Sequence, residues 1–215
     1  MGKKARLEIN LLENARNFKV MYGAGLCPAC NVTDERDMPV PVFGPVQIAE
    51  PPGFAPYLVT WWVSDIQPGA AALDKLQRPL VGPTLALRKK TFPGPAVVMN
   101  DVWAGHSGQA FFFSDIEVPR DMRVEVRMGY DGPFRLWIDD EPFHTDMDGI
   151  NPIIPDEVVK PFVLKKGKRR ITVAMDINQG MAWGFMLRFK RADVSGKPTE
   201  KNDCPIPRPC PELAS

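Results

Sequence analysis

The sequence predicts an all-β fold, an antiparallel β-sandwich, and three of its features carry that prediction. The run MRVEVRM (122–128) puts Met122, Val124, Val126 and Met128 on one face and Arg123, Glu125 and Arg127 on the other, the period of a half-buried strand. The runs QAFFFSDIEV (109–118) and YLVTWWVS (57–64) are apolar on both parities, as strands covered on both sides are. The 23 prolines and 17 glycines fall between such runs rather than in one block, which is how short strands and tight turns are punctuated.

In chain order, LEINLLENARNFKVM (7–21) fits a strand by alternation at Leu7, Ile9 and Leu11, and a helix by spacing at Leu11, Leu12, Ala15 and Phe18; the strand is the preferred reading. VFGPVQIAEPP (42–52) is too proline-rich for a central strand and reads as an edge or a loop. A helix is expected over 68–79, where Pro68 leads into GAAALDKLQR and Pro79 ends it.

After MRVEVRM, the turn GYDGP (129–133) leads to FRLWID, with Phe134, Leu136 and Ile138 inward and Arg135, Trp137 and Asp139 outward. The short spacing predicts an antiparallel pair. RRITVAMDIN puts Ile171, Val173 and Met175 on one face, and MAWGFMLRFKR puts Trp183, Phe185, Leu187 and Phe189 inward, each run preceded by turn residues, KKGK and NQG. Residues 36–192 are expected to form the sandwich, with an N-terminal segment, 1–35, packed on it and a Pro- and Cys-containing tail, 193–215.

A chain of 215 residues at 44% hydrophobic content supports a core without disulfides. Its formal charge of +1 offers no basic field for nucleic acid or anionic lipid. No run of eighteen apolar residues suggests a membrane span. The N-terminus has the basic start of a signal peptide, but Glu8, Asn10, Glu13 and Asn14 break its apolar stretch. A cytoplasmic protein is therefore expected if Met1 is the native start, and a secreted one if a leader has been trimmed.

Between Phe111 and Lys190, the residues MRVEVRMGYDGPFRLWIDDEPF, then DGINP, then VLKKGKRRITVAMDINQGMAWGFMLRF resemble the galactose-binding-like jelly rolls that serve glycoside hydrolases and esterases as carbohydrate-binding accessory domains. In that pattern a strand ends in a D-G turn, the next carries a V-W-V-N/D-G signature, and a loop returns to an L-K-x-G-x-x-x-I-x-V strand pair. Asp139-Asp140 departs from the usual N-G or D-G after the tryptophan strand. The resemblance implies a jelly-roll sandwich and an oligosaccharide or polysaccharide partner.

Catalytic fingerprints are missing. The two histidines, His106 and His144, have no H-x-H or H-E-x-x-H spacing, and no G-x-S-x-G, P-loop or G-x-G-x-x-G follows a strand. Ser107 beside His106 lies in a glycine-rich loop that does not hold the pair together. Asp139, Asp140 and Glu141 are consecutive, as in a solvated turn, and distant carboxylates facing across a cleft stay open.

Sugar binding needs an aromatic face flanked by polar groups. Trp137 fits by parity, Trp103 by its place in NDVWAGHSG, and Tyr130 by its turn, while Trp183 belongs to the core by phase. The competing reading covers Trp137 with the N-terminal segment or the helix near Ala70–Leu76. His106, His144, Asp146, Asp148 and Asn151 complete the candidate ligand set. The loop of residues 144–156 is alternatively a calcium loop, though without the glutamate of an EF-hand, or simply a solvated turn.

Cys27 and Cys30 form CPAC, and Cys204 and Cys210 form CPIPRPC. Two close pairs suit a structural tetrahedral zinc, although the second spacing is long. Disulfides in an oxidising compartment, or free thiols, explain the same residues. The leading expectation is a non-catalytic carbohydrate-binding sandwich. The contrasting one is an assembly module that uses the same outward aromatics in a homo-oligomer, and a glycan-acting enzyme is a third.

Overall fold

The computed structural model describes residues 19–22, 43–47, 52–195 and 205–213. The chain divides into two units, Met1–Ala49 and Glu50–Ser215. In the first, β1 (Lys19–Tyr22) pairs antiparallel with β2 (Phe43–Gln47). Pro45 has no ladder donor, which suits β2 with its single partner among the described residues. The rest of the strand expected over 7–21 lies outside the described residues.

The second unit is an all-β sandwich, the fold class the sequence predicts, though the division falls at Ala49/Glu50 and not at residue 36. Its strands are β3 (Thr60–Ser64), β4 (Leu87–Thr91), β5 (Val97–Val98), β6 (Gln109–Val118), β7 (Met122–Ile138), β8 (Glu141–Ile150), β9 (Val158–Leu164), β10 (Gly167–Asp176), β11 (Gly184–Arg191) and β12 (Arg208–Pro209). One short helix, α1 (Asn100–Trp103), and a 3-10 turn at Asn178–Gly180 interrupt them. Every pairing is antiparallel, in the order β4-β3-β6-β10-β7-β11-β5, with β8 and β9 also on β7 and β12 on β6.

β7 joins the two layers. Its first half, from Met122 to Met128, pairs with β9, and Val124–Asp131 pairs with β11; its second half pairs with β8 and β10. MRVEVRM and FRLWID are thus one strand and not the hairpin expected from the sequence. The glycines of GYDGP serve close approach instead of reversal. A Cβ on Gly129 would stand 2.1 Å from the Ile154 carbonyl oxygen, and one on Gly132, at φ +105°, would stand 2.6 Å from Ala182 Cβ. A strand that bends and changes sheets in this way forms the corner of a sandwich.

The main core lies between the layers. Trp61 from β3, Phe112 from β6, Phe134 and Leu136 from β7, Val173 from β10 and Phe185 from β11 are all buried in it. Trp61 and Phe112 both meet Phe185 edge to face, at 5.1 and 5.0 Å, a favourable aromatic geometry.

A second apolar cluster covers the other face of β6, β7 and β10, joining Phe111, Phe113, Trp137 and Ala174 to Leu73, with Leu76, Val81 and Leu85 packed over them. This explains the two-sided apolarity of QAFFFSDIEV. The cover contains turns where the sequence predicted a helix over 68–79. Gly69 sits at φ +73°, and two carbonyls a helix would need are taken by side chains: the Ala71 oxygen accepts from Gln109 Nε2 at 2.8 Å and the Leu73 oxygen from Arg135 Nη1. Tertiary bonds here outweigh helix propensity, which is a weak preference.

Candidate functional site

A groove of about 480 Å³ opens where β3, β4 and α1 meet. Ser64, Asp65, Arg88, Lys90 and His106 give it polar walls, and Met99, Val102 and Trp103 give it an apolar base. Alternation along β4 directs its cations: Arg88 and Lys90 face the groove, while the intervening Lys89 turns to the opposite side and binds Glu212 Oε1 at 2.9 Å. Arg88 Nη1 pairs with Asp65 Oδ1 at 3.0 Å. The exposed His106 ring donates from Nδ1 to the Ala104 oxygen (3.0 Å).

An exposed tryptophan is joined through its backbone to Met99, one of the groove's lining residues. Trp183 is 52% exposed, although its phase with Phe185 and Leu187 had predicted a core residue. The strand alternation stops at Gly184, whose φ is +142° and where a Cβ would lie 1.8 Å from the Val97 oxygen. That close approach starts β11 one residue late and turns Trp183 outward. Its backbone is held on both sides: its N–H donates to the Asp131 oxygen (3.3 Å), and its oxygen accepts from the amide of Met99 (2.9 Å), a residue that also lines the groove. Met181, two residues before Trp183, is 62% exposed, and Val102 in α1 is 52% exposed. Burial pushes the Asp131 carboxyl above its usual range.

The structure changes the standing of the other candidate residues. Trp137 leaves the face of Leu136, as parity predicts, but is 2% exposed beneath Leu73 and Leu76 and offers no open ring. Trp103 is buried under the groove, edge to face with Phe112 at 6.3 Å. Tyr130 is buried and stacks on Phe134 at 4.5 Å. Of the chosen aromatics, none is an exposed platform. His106 alone of the predicted residues stands open on the groove wall.

His144, Asp146 and Asp148 lie in β8, not in a loop, and Asn151 follows it, exposed. Tyr130, His144 and Asp146 do come together, with Lys160 of β9 as a fourth member that the sequence did not single out. Lys160 Nζ is 2.8 Å from His144 Nδ1, Tyr130 Oη is 2.8 Å from His144 Nε2, and the Tyr130 hydroxyl donates to Asp146 Oδ2 at 2.9 Å. An ammonium only donates, so Nδ1 accepts, Nε2–H donates to Tyr130, and every proton in the chain is assigned.

Burial and then Lys160 hold His144 below its usual range, and burial and then Asp146 push the Tyr130 phenol up. Burial opposes ionisation of Asp146, yet the Gly149 amide, Tyr130 and the Asp148 amide together outweigh it and lower that group. The two amides share Oδ1, at 3.0 and 3.1 Å. Among the described residues, no group of three or more His, Cys, Asp or Glu is placed to hold a metal ion. Cys27, Cys30 and Cys204 lie outside the described residues; Cys210 is buried, and burial raises its thiol.

No family model and no curated protein matches the chain. Among solved structures it is similar to a β-glucosidase from Kluyveromyces marxianus in complex with glucose, at 13% identity and TM-score 0.40, over 51% of this chain and 15% of that one. A GH2 β-galacturonidase from Eisenbergiella tayi bound to glycerol gives 14% identity and TM-score 0.40, over 66% and 25%. The PA14 domain of the MpAFP antifreeze protein gives 14% identity and TM-score 0.31, over 40% and 46%. The chain thus spans less than half the length of each.

Proposed function

We propose that the second unit is a non-catalytic carbohydrate-binding β-sandwich, with the groove between β3, β4 and α1 as its sugar site and Trp183 as the aromatic face on its flank. The observation that carries this reading is the exposed indole of Trp183, whose backbone oxygen accepts from Met99, a residue that lines a groove of mixed polar and apolar walls. Pyranose rings present an apolar side to an aromatic face and hydroxyls to groups such as Ser64, Asp65 and His106. The cluster Lys160–His144–Tyr130–Asp146 is hydrogen-bonded within itself and Tyr130 is buried, so the groove and not this cluster is taken as the sugar site.

Calorimetric titration with a panel of soluble glycans tests it, together with pull-down on insoluble ones. Binding that weakens at least tenfold in Trp183→Ala is expected. An absence of binding across the panel, or binding indifferent to that substitution, overturns it. A second reading, assembly of copies of the chain through Trp183, Met181, Val102 and Val98, draws on the exposure of all four. Sedimentation of Met181→Asp against the wild type separates the two, because only assembly responds with a change of mass.

A further inference from the structure

We infer that the groove prefers acidic glycans, seating a uronic acid residue with its carboxylate on Lys90; this rests on the groove being a sugar site and adds its charge selectivity. The three consecutive cations of β4 have different partners. Lys89 Nζ is occupied by the Pro211 oxygen (2.6 Å) and Glu212 Oε1 (2.9 Å), on the face away from the groove. Arg88, in the groove, is matched by Asp65 through contacts of 3.0 and 3.4 Å. Lys90 Nζ meets the Met99 sulfur at 3.3 Å and the Phe92 ring at 5.0 Å.

Neither partner of Lys90 supplies an oxygen. A thioether is a weak acceptor, and an aromatic face attracts a cation without accepting its protons in a normal hydrogen bond. Among the described residues no carboxylate pairs with Lys90, so the groove retains one positive charge after Arg88 and Asp65 offset each other. One ammonium proton points at the thioether and the other two are open to a ligand oxygen. A uronic acid differs from its neutral hexose by a carboxylate in place of a hydroxymethyl group, and a bond from an ammonium to a carboxylate is roughly twice as strong as one between neutral groups. The Nε2 of His106, not engaged by the Ala104 oxygen, is left for a ring hydroxyl.

The test is calorimetric titration of the full chain with oligosaccharides of glucuronate and galacturonate, against neutral glucose and galactose oligosaccharides of equal length. The wild type, Lys90→Gln and Lys89→Gln are compared at low and high salt. Acidic glycans are expected to bind on the order of tenfold more tightly than neutral ones. Lys90→Gln removes that preference, Lys89→Gln keeps it, and salt reduces it, as screening of an exposed pair requires. Equal affinity for acidic and neutral glycans overturns the inference and leaves the sugar site standing. A preference lost equally in both variants also overturns it, since the effect would then be one of overall charge. No binding of either class removes the sugar site and the inference together.

Discussion

Lys160 Nζ lies 2.8 Å from His144 Nδ1, and the bond connects β9 to β8, the two strands that flank successive halves of β7 on one side. Phe143 and Phe162 meet edge to face at 5.3 Å beside it. The link works only with a neutral imidazole, because a protonated Nδ1 has no lone pair for an ammonium. Tyr130 and Asp146 fix the other nitrogen as the donor, so the arrangement selects one tautomer.

Stability should therefore fall on mild acidification. The folded chain holds His144 below its unfolded value of 6.5, burial acting first and Lys160 second. A group depressed on folding contributes stability that is present above the unfolded pKa and is lost as pH falls through the folded one. Besides Lys160, the titratable groups facing His144 are Tyr130 and Asp146; Asp146 acts in the opposite sense, and its weaker effect leaves the direction unchanged. Thermal melts from pH 7.5 to 5 should show a decline beginning near 6.5, with the His144 ring resonances titrating below that value. In Lys160→Met the resonance should move back towards the ordinary value. Titration of the wild-type ring at or above that value would remove the clasp.

Two tryptophans should separate packing from binding. Trp137→Ala empties a buried site between Leu73 and Phe113 and should cost about 3–5 kcal/mol in urea unfolding. Trp183→Ala removes an exposed side chain and should change stability by only about 0.5 kcal/mol. Reversed costs would contradict the assigned environments.

These two residues also show what the sequence could and could not reveal. Parity correctly put Trp137 opposite Leu136, because alternation is a property of the strand itself. Its burial under the segment near Ala70–Leu76 was one of the two readings the sequence offered; what the sequence missed is that this cover, with Val81 and Leu85, is built of turns and not of a helix. Trp183 was misplaced because its phase was extended through Gly184, where close contact with Val97 sets a new start to the strand. The sandwich was legible from alternation and turn residues. The groove was not, since Asp65, Lys90 and His106 are far apart in the chain and meet only through pairing of β3 with β4 and with β6.

The corner in β7 should not tolerate a side chain at Gly132. Its φ of +105° is costly for any L residue, and the added Cβ would meet Ala182 Cβ at 2.6 Å. The backbone strain alone is worth about 1–3 kcal/mol. Gly132→Ala is expected to lose at least that much by chemical denaturation, whereas Gly94→Ala, where a Cβ would meet nothing within 4 Å, should be close to neutral.

The heaviest polar dependence falls on Asp156. Arg188 is 1% exposed, with its guanidinium 4.5 and 4.6 Å from the Phe54 and Tyr57 ring centres. Its Nε donates to Asp156 Oδ1 at 2.6 Å, and its Nη2 pairs with Oδ2. Arg127 Nη1 (3.3 Å) and the Tyr57 hydroxyl (3.2 Å) converge on the same carboxylate. Removing one partner of a buried ion pair leaves the other charge desolvated, at a cost of about 3–5 kcal/mol. Asp156→Ala should therefore lower unfolding stability by that amount. The double variant Asp156→Ala with Arg188→Met should recover a large part of it, because the methionine keeps the apolar packing on Phe54 and Tyr57 while discarding the charge. A double variant no more stable than the single one would show that packing by the arginine stem, and not its charge, sets the cost.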